Sequence, residues 1–202
     1  ATMGLGATYV PIFAGYPADQ VQGLLIHADP TVVIVAGRDQ LAGVQCTAAT
    51  SALVTFDSVD RAAVEPLLRG SCVGHAAFAD AVAGFAADDG QVAAFLGAAA
   101  AVDPLEPCLL NFTSGTSGAL KGVVLTHDNI LSQQRALSAI WSVSKEDRFL
   151  SYLPWHHSFG GIFEKYTALY NGATIHIDDS RGKDFGALQR NWAEVRPTIY
   201  FS

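Results

Sequence analysis

The chain has 202 residues, half of them hydrophobic and 15% charged, with a formal net charge of −7. That balance excludes a disordered chain, which lacks the apolar residues to build a core, and a nucleic-acid binder, which would carry a basic stripe where this sequence scatters its twelve Lys and Arg residues. No apolar run reaches the ~20 residues of a membrane-spanning helix, so a folded unit without a membrane span is expected, long enough to bury roughly 70% of its unfolded surface.

Tyr9-Val10-Pro11-Ile12 reads as a short strand. The Gly-x-Gly formed by Gly4 and Gly6 precedes it, whereas a nucleotide fingerprint follows its strand. Pro17 opens a helix where a missing N–H costs nothing. Val21, Leu24, Leu25 and Ala28 then recur at helical spacing, and Asp29-Pro30 ends the run. Thr31 to Ala36 is a strand of β-branched residues, and the order strand, helix, strand predicts a parallel pair joined by a crossover.

Residues 37–107 carry little chemistry. Leu53 to Phe56 reads as a strand and Val64 to Leu68 as a short helix, while Ala76 to Ala101 is low in complexity and reads as helix broken near Asp88-Asp89-Gly90. His75 stands alone, which suits a packed or solvated side chain better than a ligand. Cys46, Cys72 and Cys108 are far apart and odd in number. They point to reduced, buried thiols in a cytoplasmic protein and away from a disulfide frame or zinc site. No signal peptide is visible.

From Cys108 the pattern sharpens. Cys108 to Phe112 and Val123 to Leu125 read as strands on either side of a polar stretch. Thr126 is placed to cap a helix from His127 to Trp141, with Ile130, Leu137 and Trp141 as its core contacts. Lys145-Glu146-Asp147 is a polar turn, Arg148 to Leu153 a strand closed by Pro154, and Gly161 to Tyr170 a helix capped by Asn171-Gly172. Ala173 to Ile177, a helix from Asp184 to Val195 and a strand from Thr198 to Ser202 complete the chain. Alternating strands and helices give an α/β class with a mostly parallel sheet and flanking helices.

The stretch Thr113-Ser114-Gly115-Thr116-Ser117-Gly118-Ala119-Leu120-Lys121-Gly122 packs four hydroxyls, three glycines and a lysine into ten residues. Glycines let backbone N–H groups approach an anion, hydroxyls add donors and lysine adds charge, so a phosphate cradle is expected. The competing reading is a hairpin turn of small residues. Ten residues exceed what such a turn needs, which favours phosphate. A Walker loop needs glycine directly before the lysine, and Leu120 stands there. A dinucleotide fingerprint needs a third glycine and a following helix. Ser117 lacks the flanking pattern of a nucleophile elbow.

A second constellation is Leu153-Pro154-Trp155-His156-His157-Ser158-Phe159-Gly160-Gly161, at the C-terminal end of a strand, where parallel sheets bind ligands. Adjacent histidines diverge and have no third ligand nearby, so a metal pair is disfavoured. Packing at a turn is the plain alternative.

The string from Phe112 to Val123 resembles the signature loop of the adenylate-forming superfamily: acyl-CoA synthetases, peptide-synthetase adenylation domains and beetle luciferases. That family's pattern is Tyr/Phe-Thr-Ser-Gly-Thr-Ser/Thr-Gly, two residues of which the second is usually proline, then Lys-Gly-Val. Here Leu120 replaces the proline. The Gly-Ala-x-Tyr-Val-Pro segment near the start, the Pro-x-x-His-x-Phe-Gly segment ending at Gly160, the segment from Leu169 to Thr174 and Arg196-Pro197-Thr198 are similar to the same family, while 37–107 fits only loosely.

The resemblance implies an acid–CoA ligase: ATP and a small-molecule carboxylic acid, fatty or aryl, give an acyl-adenylate, which coenzyme A captures. Thr113, Ser114, Gly115, Thr116, Ser117 and Gly118 would cradle the phosphates. Lys121 would neutralise them, and Thr116 would contact Mg²⁺. His157 would act where the carboxylate meets the α-phosphate, in a pocket lined by His157, Ser158, Phe159 and Gly160. An adenylation domain loading a carrier protein, a luciferase-like oxygenase and a non-catalytic nucleotide-binding module remain alternatives. The family's Tyr-Gly-x-Thr-Glu segment, ribose aspartate, hinge and C-terminal lysine have no counterpart before Ser202. Both ends of the sequence read as cut, so a part of the large N-terminal domain is expected, inactive by itself.

Overall fold

The computed structural model describes residues 2–68, 74–83, 88–114, 120–180 and 182–201. The chain divides into two compact units, residues 12–92 and residues 1–11 with 93–202.

In the first unit, helix α1 (Ala18–Ala28) buries Leu24 and Leu25. It stops at Asp29, whose left-handed φ of 43° turns its N–H back to the Leu25 carbonyl, and Pro30 cannot continue a helix. Strands β1 (Val32–Val35) and β2 (Ala52–Thr55) pair in parallel. Helix α2 (Arg61–Val64), continued by a 3₁₀ turn, leads to β3 (Gly74–Ala77), which pairs in parallel on the other side of β2. Leu25, Val33, Leu41, Val44, Cys46, Leu53 and Val64 form the core. Each fully buried aliphatic side chain there contributes about 1.5–3 kcal/mol.

Two expectations for residues 1–101 fail. Tyr9 does not pair with β1: it bridges Leu109 in parallel, with its N–H on the Cys108 carbonyl at 2.9 Å. Pro11 lacks the N–H to carry that bridge into a ladder. Ala76 and Ala77 are strand, and the helix expected over 76–101 is instead α3 (Phe78–Val82) and α4 (Asp89–Ala100). The break expected near Asp88 is present: Asp88 lies just before α4 and caps it, its Oδ1 accepting the Gln91 N–H at 2.7 Å while Gln91 Oε1 accepts the Asp88 N–H at 3.1 Å. His75 is packed, within 3.1 Å of the Thr55 hydroxyl. Cys46 and Cys108 are buried thiols, and Cys72 lies outside the described residues.

In the second unit, β4 (Pro107–Ser114) and β5 (Leu120–Thr126) form an antiparallel pair. Helix α5 (His127–Trp141) has the expected bounds, fixed by a reciprocal cap: Thr126 Oγ1 accepts the Asn129 N–H and Asn129 Oδ1 accepts the Thr126 N–H. Its inward face differs from expectation. Ile130 and Gln134 are buried, Leu137 is half-buried, and Trp141 is 44% exposed with its edge on Phe201.

Strand β6 (Arg148–Ser151) pairs in parallel with β7 (Thr174–Ile177). Between them lie a π-helical turn, Phe159–Glu164, and helix α6 (Lys165–Asn171), closed by Gly172 at φ 70°. Asp184 caps the last helix, α7 (Phe185–Val195), by accepting the Gly186 and Ala187 N–H groups. Ile199 bridges Phe149 in parallel, so the expected last strand reaches this sheet at one residue. The architecture is α/β, with the β4–β5 hairpin as its antiparallel part.

Candidate functional site

The polar stretch after β4 is shorter than it reads. The ladder continues through Thr113↔Lys121 to Ser114↔Leu120, which leaves residues 115–119 between the strands. Five residues fall within the ordinary length of a hairpin connection, so loop length does not distinguish a phosphate cradle from a turn, contrary to expectation. Gly115, Thr116, Ser117 and Gly118 lie outside the described residues. Thr113 and Lys121 are exposed and face one another across the ladder, with Thr113 Oγ1 donating to the Lys121 carbonyl at 3.4 Å. Ser114 is the last residue of β4. The hairpin thus presents a hydroxyl and an ammonium at the same end.

The histidine segment is built by close backbone packing. β6 ends at Ser151, and the chain reverses with the His157 N–H on the Pro154 carbonyl at 3.0 Å. The Gly161 N–H then bonds the His157 carbonyl at 2.7 Å. A Cβ on Gly161 would lie 2.2 Å from the Trp155 carbonyl oxygen, and one on Gly160 would lie 2.8 Å from the oxygens of Leu153 and Pro154. Both positions therefore need glycine for space.

His157 and Phe159 are brought together, exposed, with rings 6.4 Å apart and nearly parallel, and Phe159 stacks on Phe163 at 5.3 Å. The Phe159 N–H donates to His157 Nδ1 at 3.4 Å. With Nδ1 accepting, the neutral imidazole carries its proton on Nε2 and offers a donor. Ser158 is half-buried and Gly160 is buried. Burial, with His157 alongside, lowers the His156 pKa.

Behind this turn lies a polar network that the sequence did not single out. Glu164, 1% exposed, accepts the Ser151 hydroxyl at 2.5 Å, and Ser151 Oγ accepts the Trp155 indole N–H at 2.8 Å. Burial pushes the Glu164 carboxyl up to about 7 against the opposing pull of the Ser151 hydrogen bond. The Lys165 ammonium sits over the Tyr9, Trp155 and Tyr166 rings at 5.2, 5.3 and 4.6 Å, and burial lowers its pKa. On the α5 side, Gln134 donates to the Ile162 carbonyl at 3.4 Å and accepts from Thr167 at 2.7 Å. A carboxylate and a lysine in the run from Gly160 to Tyr166 were the only sequence signals for this network.

The hairpin and the histidine turn share a core. Cys108 and Leu109 of β4, Leu125 of β5, Ile130 of α5, Ile162 of the π-helical turn and Tyr166 of α6 belong to one hydrophobic cluster. A cavity of about 260 Å³ in the first unit, lined by Ala18, Asp19, Gln22, Ala42, Gly43 and Gln45, contains none of the residues singled out from the sequence. Among the described residues no group of three or more His, Cys, Asp or Glu side chains could hold a metal, and no helix is long and apolar enough to cross a membrane.

The sequence model of the AMP-binding enzyme family matches residues 1–202. A curated relative from Mycobacterium tuberculosis, a propanoyl:CoA ligase whose acid carries a 7a-methyl-1,5-dioxo-octahydro-1H-inden-4-yl group, is 30% identical over 217 aligned residues, 98% of this chain and 38% of that protein. A malonate–CoA ligase of Arabidopsis thaliana is 45% identical over 92 residues, 46% of this chain and 15% of that one. Among solved structures, the anthranilate CoA ligase AuaEII in complex with anthranoyl-AMP superposes with a TM-score of 0.71 at 17% identity, covering 100% of this chain and 36% of the other. That likeness shows a shared fold, and the chain spans about a third of that structure's length.

Proposed function

The chain belongs to the AMP-binding enzyme family, and on that premise we propose that the protein activates a carboxylic acid, fatty or aryl, with ATP and transfers the acyl group to coenzyme A. A carboxylate oxygen attacks the α-phosphorus, and the bond to the bridging oxygen breaks as pyrophosphate leaves. The thiol of coenzyme A then attacks the acyl carbonyl, and AMP leaves. The relatives described above are named as acid–CoA ligases, which supports the choice of thiol.

The observation that carries this reading is the cross-strand pair Thr113↔Lys121, exposed at the mouth of a five-residue tip rich in glycine and hydroxyls. Thr113, Ser114, Thr116 and Ser117, with the amides of Gly115 and Gly118, bind the phosphates. Lys121 neutralises charge on the departing pyrophosphate, where positioned charge contributes most. His157 offers its Nε2–H to the carboxylate or an α-phosphate oxygen, and Phe159 provides an apolar wall beside Ser158 and Gly160. Magnesium, when bound, would supply positive charge against the phosphates. The carboxylate-poor sequence of the hairpin suits an ion that keeps mostly phosphate and water ligands, and the Thr116 hydroxyl would be its protein contact.

Lys121→Ala in the full-length protein is expected to slow ATP–pyrophosphate exchange by about a hundredfold, the equivalent of about 3 kcal/mol of transition-state stabilisation. An unchanged rate overturns the reading. Residues 1–202 are on this account part of a larger N-terminal AMP-binding domain that is completed by further sequence and a small C-terminal domain. Their span of about a third of the matched structure supports this. Alone they are expected to give no exchange, and measurable turnover by residues 1–202 contradicts it. A cytoplasmic setting agrees with the buried thiols of Cys46 and Cys108.

A further inference from the structure

The histidine turn is tied down by polar side chains that are less exposed than its His157 and Phe159 rings. Trp155 lies within the turn, two residues before His157. Its indole N–H is bound by Ser151 Oγ at 2.8 Å, and its ring lies under the Lys165 ammonium at 5.3 Å. Ser151 can serve as that acceptor because its own proton is taken by Glu164, 2.5 Å away. A hydroxyl donates one proton and accepts at its lone pairs, so with its proton on the Glu164 carboxyl oxygen Ser151 has only lone pairs to offer the indole. Glu164 is held in turn by the π-helical turn Phe159–Glu164, whose Ile162 carbonyl is bonded by Gln134. Such turns interrupt regular helix and recur where side chains are aimed at ligands.

We propose that Glu164 is a positioning residue for the acid-binding side of the site: through Ser151 it orients the Trp155 indole and thereby sets where His157 and Phe159 stand. The inference rests on the acyl-activating reading of that turn. Glu164 touches no substrate; it acts by holding a turn whose misplacement by about an ångström would be felt in binding and orientation. Its neighbourhood supports a role beyond packing. A buried carboxyl is costly unless bonded, and here its hydrogen bond goes to the residue that holds the turn.

The test uses the full-length protein labelled with 5-fluorotryptophan, with the Trp155 resonance identified by its loss in Trp155→Phe. Glu164→Leu is expected to displace the Trp155 resonance and raise the KM for the acid about tenfold, with the KM for ATP changed by less than about twofold. Glu164→Gln keeps an acceptor for Ser151 and is expected to restore the resonance and hold the acid KM within about threefold of the wild type. Trp155→Phe, which keeps a six-membered aromatic ring but removes the indole N–H together with the pyrrole ring, is expected to reproduce the rise in acid KM. That variant decides the matter even if Glu164→Leu fails to fold. An unmoved resonance in folded Glu164→Leu, or an unchanged acid KM in Trp155→Phe, overturns the proposal. Absence of exchange in the wild-type protein would instead overturn the acyl-activating reading, while the fluorine signal still reports whether Glu164 holds the turn.

Discussion

In the β4–β5 hairpin the residues assigned to chemistry are exposed, and the backbone ladder holds them: Thr113 and Lys121 sit opposite one another, and neither needs a buried partner to stay there. In the histidine turn the exposed rings of His157 and Phe159 depend on what lies behind them, namely two glycines pressed against carbonyl oxygens and a buried carboxyl bonded to Ser151. A ladder fixes direction through many equivalent hydrogen bonds, so single side chains at its end are replaceable without loss of fold. A turn fixed by close approach and a few polar contacts is not. The difference separates function from stability in the hairpin and couples them in the turn.

Gly161→Ala would break the turn most severely. Its Cβ would meet the Trp155 carbonyl oxygen at 2.2 Å, and that oxygen belongs to the backbone. A loss of about 3 kcal/mol or more in urea unfolding is expected, and a loss below about 0.5 kcal/mol would show that the turn relaxes freely.

Next in size is the pH dependence set by Glu164. Burial raises its carboxyl from the ordinary 4.5 to about 7. The fold therefore favours the protonated form, and the stabilisation is complete below 4.5 and lost as pH rises through 7. At about 1.4 kcal/mol per pH unit this amounts to about 3 kcal/mol at most. Unfolding free energies compared at pH 5 and pH 8 should fall with pH in the wild type and flatten in Glu164→Gln; equal slopes in the two proteins would remove Glu164 as the source.

The smallest structural effect belongs to the hairpin. Thr113→Val keeps a β-branched residue in the strand, so stability should stay within about 0.5 kcal/mol. The lost hydroxyl should still slow ATP–pyrophosphate exchange by about tenfold, the worth of one hydrogen bond to a charged group. A variant that loses stability without losing exchange would erase the contrast between the two regions.

Much of the fold was legible because its signals are local. Thr126 with Asn129, and Asp184 before Phe185, mark helix starts by side chains that reach only two or three residues along the chain. Asp29 and Gly172 mark helix ends in the same way. Of the candidate site, the concentration of glycine, hydroxyl and lysine in the hairpin and the proximity of His157 to Phe159 were legible, because they follow from residues adjacent in sequence. Glu164 escaped notice because a carboxylate in a helical run looks like a solvated residue until its burial is known. Trp141 misled in the opposite direction, since its size suggested the core although it is 44% exposed.

By itself the sequence determined the α/β class, the bounds of α5 and the concentration of glycine, hydroxyl and lysine between Phe112 and Val123, because each follows from composition or from bonds within a few residues. Tertiary structure decided what no window along the chain contains. It paired Tyr9 with Leu109 and left β1 to β2, extended the β4–β5 ladder until five residues remained at its tip, and buried Glu164 against Ser151. Strand pairing and burial depend on which distant surfaces meet, and that choice is made by the whole core at once.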